Sequence, residues 1–340
     1  MPITRLLPTL LALLALPALI GACGSDEETA GGSGGGGGGK LSLVAYSTPK
    51  EAYEAVIPAF QKSPEGKGVS FDQSYGASGD QTRAVTSGLP ADVVALSLSP
   101  DMDKLVEPGI VDAAWNKDEF DGFVTDSVVV LAVRKGNPKG IRTWDDLVKP
   151  GVEVLTPNPF TSGGARWNLM AAYGAKRKQG ASEAQALDFL KQVLKHTPVQ
   201  DKSARESLQT FAGGKGDVLL AYENEAITAQ TKGVELDYVI PDATILIENP
   251  IAVIKKSKSP EQAKAFVDFA RSTEGQKLFA SKGYRPVRKE LVDAKRFPTP
   301  KQLFEIDELG GWSEVMKKYF DPEGGAVAEI EKELGVSTAK

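Results

Sequence analysis

At 340 residues, with 41% hydrophobic and 25% charged residues, the chain has the balance of a folded soluble protein of one large or two ordinary domains. A net charge of -5 excludes a nucleic-acid surface, which needs clustered Lys and Arg. One histidine and one cysteine near the N-terminus exclude most metal sites and histidine-assisted nucleophiles.

The chain opens "MPITRLLPTLLALLALPALIGACGS": one Arg, an apolar run from Leu6 to Ala22 broken by Pro8 and Pro17, then small residues before Cys23. The run is too short and too proline-broken to span a membrane comfortably, and it has the layout of a secretory signal. "LIGAC" resembles the lipobox of bacterial lipoproteins, which makes Cys23 the lipid-bearing first residue of the mature chain. An ordinary signal peptide with an incidental cysteine is the alternative. Against it stand the uniqueness of Cys23 and the low-complexity tether, residues 24–40, that follows at once. Gly34, Gly39 and Lys40 fit a P-loop spacing, but Leu41 replaces the hydroxyl residue that would bind magnesium, and no strand precedes the run.

From Leu41 short apolar strands alternate with amphipathic helices: "LSLVAYS", a helix from about Pro49 to Gln61, "GVSFDQS", a helix after Ser78, then "ADVVALSL". A long extended stretch, "DSVVVLAVRKG" (Asp126–Gly136), opens a second set containing "GVEVLTP", "GDVLLAYE" and "VELDYVIP" with helices between. The stretch "TILIENPIAVIKKS" then leads back to the helices "PEQAKAFVDFARS" and "GQKLFASKG". This rhythm predicts an α/β fold with a mixed, mainly parallel sheet flanked by helices. The two long stretches bracketing a middle unit predict two lobes: 41–128 with 245–296, and 129–244. A helical C-terminal segment, 297–340, is left unassigned to either.

Catalytic candidates are few. His196 ends the helical run "ALDFLKQVLKH", where a cation suits the helix dipole, so it reads as a cap. "GASGD" (Gly76–Asp80) nearly matches a nucleophile elbow, but Asp80 stands at the last glycine. The acidic pairs Asp145 with Asp146 and Glu223 with Glu225 read as solvated or capping residues at helix starts. No enzyme activity and no cofactor or metal is expected.

What recurs instead is small hydroxyl residues and glycine where strands give way to helices: "YSTPKEAY" (Tyr46–Tyr53), "YGASGDQT" (Tyr75–Thr82) and "TSGGARW" (Thr161–Trp167). The first turn of a helix leaves N–H groups unpaired and carries positive partial charge, so three such turns meeting at a point would hold an anion without a counter-cation. Each junction by itself is also explained as a plain N-cap.

Four blocks, "DQSYGASGDQ", "VRKGNPKGIRTWDDLVKPGVEVLTPNPFTSGGARWN", "GDVLLAYENEA" and "GYRP", are similar to the sulfate-binding proteins of bacterial ABC importers, from about Leu41 to near the C-terminus. The resemblance implies a two-lobed periplasmic-binding-protein fold of type II that closes over a dehydrated oxyanion. By position it implies a ligand shell of Ser47, Ser78, Ser162, Gly163, Gly164 and Ala204, the last in "DKSARES", with Thr48 and Gly79 as neighbours. Two positions depart from the family pattern. Ser47 stands where the sulfate binders have Asp, and Tyr222 where they carry a tryptophan whose indole N–H donates to the ligand; relatives tuned to thiosulfate also vary here.

The expectation is therefore a monomeric, lipid-anchored extracytoplasmic receptor that captures sulfate or thiosulfate and delivers it to membrane ABC permease subunits. Binding of another tetrahedral oxyanion, molybdate or phosphate, and a secreted hydrolase are the alternatives. A pocket of donors alone favours sulfate, which only accepts hydrogen bonds, over phosphate, which still holds a proton. An inward-pointing Asp80 carboxylate would contradict this reading.

Overall fold

The alternation of apolar strands and amphipathic helices builds a nine-stranded mixed sheet with helices on both faces. The computed structural model describes residues 39–338; the signal segment, Cys23 and the tether up to Gly38 lie outside them. The strands are β1 (Lys40–Tyr46), β2 (Ser70–Gly76), β3 (Val93–Ala95), β4 (Phe123–Arg134), β5 (Val154–Leu155), β6 (Val218–Tyr222), β7 (Leu236–Val239), β8 (Ala243–Val253) and β9 (Gln302–Phe304). The helices are α1 (Lys50–Phe60), α2 (Ser78–Thr86), α3 (Ser99–Val106), α4 (Gly163–Lys178), α5 (Glu183–Lys195), α6 (Ala204–Ala212), α7 (Glu223–Thr231), α8 (Pro260–Arg271), α9 (Thr273–Ser281), α10 (Gly311–Tyr319) and α11 (Ala326–Glu333).

The sheet runs β2-β1-β3-β8-β4-β6-β5, with β7 added to β4 and β9 to β8. In the first half β2, β1 and β3 share a direction and β8 opposes them. In the second half β5, β6 and β7 share a direction and β4 opposes them. The two opposed strands are the long ones. Residues Phe123–Val128 of β4 pair with β8, whereas Val129–Arg134 pair with β6 and β7. Likewise β8 pairs with β4 through its middle and with β3 through Ile251–Val253. Both therefore pass from one half of the sheet to the other.

Period-2 burial explains why these stretches are strands. Leu43 and Ala45 of β1 face Tyr53 and Val56 of α1, Phe266 of α8 and Phe279 of α9, while Val44 faces Val94, Met102 and Leu105 on the other side. In β4, Val129, Leu131 and Val133 pack with Trp167 of α4 and Leu190 of α5; Val128, Val130 and Ala132 pack with Phe211 of α6 and Ala226 of α7. Burial on both faces makes these strands read as unbroken apolar runs. Each such side chain contributes roughly 1.5–3 kcal/mol when fully buried. The C-terminal segment joins the α4/α5 side: Phe304, Val315, Tyr319, Val327 and Ile330 belong to the same core as Trp167 and Leu190.

His196 is the C-cap residue of α5, as its position suggested, with its ring Nδ1 2.9 Å from the Val152 carbonyl. Asp146 closes a capping box with Thr143, and Asp145 pairs with Lys176 at 2.7 Å.

Candidate functional site

Because β1, β2 and β3 share a direction, their C-terminal ends lie on one edge, and the chain leaves each through a turn into a helix; β5 and β6 do the same in the other half. The consequence is a convergence of helix N-termini. Ser47 and Thr48 precede α1, Ser78 is the first residue of α2, and Ser97 precedes the N-cap of α3. Ser162 caps α4, Ala204 opens α6 and Tyr222 is the N-cap of α7.

These residues line one small cavity, of about 10 Å³: Tyr46, Ser47, Thr48, Ser78, Ser97, Ser162, Gly163, Gly164, Ala204 and Tyr222. First-turn N–H groups have no acceptor within their own helix, and each helix adds positive partial charge at that end. No lining residue carries a charge. Six helix starts around an uncharged, hydroxyl-rich cavity supply the donors and positive partial charge that suit a small anion.

Hydrogen bonds define which hydroxyls are free to turn inward. Ser162 Oγ accepts from Ala165 N at 3.4 Å, leaving its proton to donate. Ser78 Oγ accepts from Ser97 N at 3.0 Å. Tyr46 OH donates to Asn249 Oδ1 at 2.9 Å. The Tyr222 OH and Ser97 Oγ lie 2.7 Å apart, as one pair that keeps a proton to spare for a ligand whichever of them donates. Burial pushes the Tyr222 phenol well above its ordinary range, so it stays protonated.

Asp101, Glu51 and Asp80 stand outside the cavity lining, each paired with a cation. Asp101 lies in a buried pair with Arg166, Nη1 to Oδ1 3.4 Å. Burial would raise its carboxyl, but Arg166 and Lys104 outweigh that and hold it low. Arg205, next to Ala204, binds Glu51 at 2.6 Å and donates to the Thr48 carbonyl at 3.1 Å. Burial acts to raise the Glu51 carboxyl, yet Arg205 and Lys232 bring it down to about 2. Asp80 is not part of the cavity wall. It pairs with Arg83 and, at 2.7 Å, with Lys202, on the outer depression of about 480 Å³ that Ser47 also borders.

Of the positions expected from sequence, Ser47, Thr48, Ser78, Ser162, Gly163, Gly164, Ala204 and Tyr222 are brought together. Gly79 is not, and its N–H donates to the Thr161 carbonyl at 3.2 Å. The two glycines of "TSGG" also differ. A Cβ on Gly164 would sit 3.5–3.6 Å from Ser162, Ala204 and Tyr222, all lining residues. A Cβ on Gly163 would fall 2.0 Å from Leu98 Cδ2 and 2.8 Å from Ser97, so that glycine lines the cavity and also admits the β3–α3 turn.

Sequence reasoning missed Tyr46 and Ser97. Ser97 lies at a fourth strand-to-helix junction, "ALSLSPD", which is obscured because the apolar run of "ADVVALSL" continues past the end of β3 at Ala95. Tyr46 carries no such signal, because its partner Asn249 is 203 residues away.

The family model described as bacterial extracellular solute-binding protein matches residues 41–285. The chain belongs to this family. A protein of Synechococcus elongatus described as sulfate-binding protein is 43% identical over 316 residues, 90% of each chain. A thiosulfate-binding protein of Pseudomonas aeruginosa is 35% identical, covering 84% of this chain and 90% of that one. Among solved structures, the sulfate-binding protein SubI from Mycobacterium tuberculosis superposes with a TM-score of 0.80 at 44% identity, covering 83% of this chain and 99% of that one. The fold is accordingly the two-lobed α/β type II solute-binding fold.

Proposed function

We propose that the chain captures sulfate, or thiosulfate, outside the cytoplasmic membrane and delivers it as a monomer to ABC permease subunits, held to the membrane by a lipid on Cys23. The observation that carries this reading is the convergence of six helix N-termini on a cavity with no charged side chain. A fully ionised tetrahedral oxyanion takes only donors, and the cavity offers first-turn amides and inward hydroxyls. The relatives described as sulfate- and thiosulfate-binding proteins support the choice of anion. The lobes, 41–128 with 245–296 and 129–244, would hinge on β4 and β8, and the C-terminal segment travels with the second. Calorimetry against sulfate, thiosulfate, phosphate and molybdate tests the reading. Saturable heat with sulfate or thiosulfate is expected, and a preference for phosphate or molybdate overturns it.

Ser47, Thr48, Ser78, Ser162, Gly163, Gly164, Ala204 and Tyr222 form the proposed shell, with Tyr46 and Ser97 added. Gly79 drops out because its N–H is already engaged. Tyr222→Phe deletes one hydroxyl of the pair with Ser97 and is expected to cost about 1.5–3 kcal/mol of sulfate affinity, the scale of a hydrogen bond to a charged group. An unchanged dissociation constant would reduce Tyr222 to a packing role.

Cys23→Ala is expected to move the protein from carbonate-washed membranes to the soluble fraction. Retention of the variant on the membrane would reveal another anchor.

A further inference from the structure

The C-terminal helix α11 carries a side chain that the anion site does not explain. Glu331 is fully buried, and both its oxygens take the same donor, Gln200 Nε2, at 3.0 and 2.9 Å. The Gln200 Oε1 is buried without a partner. Neighbouring charges are engaged elsewhere: Lys191 of α5 with Glu333, Lys332 with Glu329, and Lys318 of α10 with Glu183 at 2.6 Å. Asp201, next to Gln200, accepts from Thr210 at 2.9 Å. Among the described residues no cation lies within ion-pair distance of Glu331.

Gln200 begins the short segment that ends at Ala204. That segment is tied to the Ser162 loop: Asn158 N donates to the Asp201 carbonyl at 2.8 Å, Thr161 Oγ1 to the Lys202 carbonyl at 2.8 Å, and Ser162 N to the Asn158 carbonyl at 2.9 Å. The C-terminal segment grips the same pair of loops a second time, through Asn158 Nδ2 to the Ser337 carbonyl at 3.0 Å.

We propose that Glu331 is a positioning residue: in its protonated form it closes an acid–amide ring with Gln200 and so holds the loops that present Ser162 and Ala204 to the anion. A carboxylate offers acceptors only, and leaves Gln200 Oε1 empty. The protonated acid supplies the missing O–H to that oxygen, after a small turn of the amide, while its carbonyl keeps the N–H of Gln200; both buried groups are then satisfied and no buried charge remains. Burial raises the Glu331 carboxyl to about 7, with the Gln200 hydrogen bond offsetting only part. A carboxyl raised in the folded state contributes fully below its ordinary value near 4.5 and loses that contribution as pH rises through about 7.

This role rests on the sulfate reading above. The test is calorimetry with sulfate at pH 5.5 and pH 8.5 on the full chain and on Glu331→Gln, with the thermal midpoint of each. Gln mimics the neutral acid, so equal affinities are expected at pH 5.5 and a variant at least about fivefold tighter at pH 8.5, the usual lower size of a coupling between sites. The ratio of variant to wild type is the readout, because burial also raises Glu225 and Glu248 to about 7. Gln200→Ala, which removes the partner, is expected to bind at both pH values as the wild type does at 8.5. The same ratio at both pH values, or a shifted thermal midpoint with unshifted affinity, overturns the proposal. Absence of sulfate heat from every form overturns the function itself.

Discussion

Gly164→Val is expected to weaken sulfate binding more than about 100-fold, or about 2.7 kcal/mol, while the thermal midpoint stays near that of the wild type. The reason is where the new atoms go. The Cβ has ordinary contact distances of 3.5–3.6 Å to Ser162, Ala204 and Tyr222, so the protein accommodates it. Those neighbours are the cavity wall, and the two further methyls take the space of the ligand and shield the amides around it. Valine at the second residue of α4 costs the helix nothing relative to glycine, whose propensity is lower still. Gly163→Ala fails differently, because its Cβ meets Leu98 and Ser97 at 2.0–2.8 Å and must displace the β3–α3 turn. It should lower stability as well as affinity. Calorimetry and thermal melts on both variants check this; full sulfate affinity in Gly164→Val would remove the α4 start from the site.

Arg285→Met is expected to lower the unfolding free energy by about 3–5 kcal/mol, the usual loss when one partner of a buried ion pair is removed. Arg285 is the arginine of "GYRP". Its Nε and Nη2 meet Glu223 at 2.7 and 3.1 Å, and Nη2 also donates to the Pro298 carbonyl at 2.9 Å. Glu223 is fully buried, and burial already pushes its carboxyl up despite this pairing. Without the guanidinium it must hold an unpaired charge or take a proton. The backbone of Arg285 bridges Asp126 on β4 in both directions at 2.9 Å, so the pair ties α7, and Tyr222 before it, to a crossing strand. Urea unfolding measures the loss. The double variant Arg285→Met with Glu223→Gln should recover more than half of it, and no recovery would show that the arginine stabilises by packing alone.

Strands such as "LSLVAYS" and "DSVVVLAVRKG" were legible from sequence because burial on both faces makes a near-continuous apolar run of strand length, which needs no knowledge of partners. The three junctions were legible for a local reason too. Small hydroxyl residues and glycine mark helix starts wherever they occur, and the family blocks supplied the chemistry that the junctions share.

What only the tertiary structure decided is which of these turns point at the same place. Gly79 and Ser78 are adjacent in sequence, yet the amide of Gly79 is spent on Thr161 while Ser78 faces the cavity. Gly163 and Gly164 look alike and both border the cavity, but only Gly163 also makes room for Leu98. Ser97 and Tyr222 become a hydroxyl pair across 125 positions, and Glu331 meets Gln200 across 131. By itself the sequence determined the α/β architecture and the hydroxyl- and glycine-rich helix starts, which follow from local pattern, and the family, which follows from the resemblance of its four blocks. The direction of each N–H and hydroxyl depends on contacts between distant segments, and so was settled only by the folded chain.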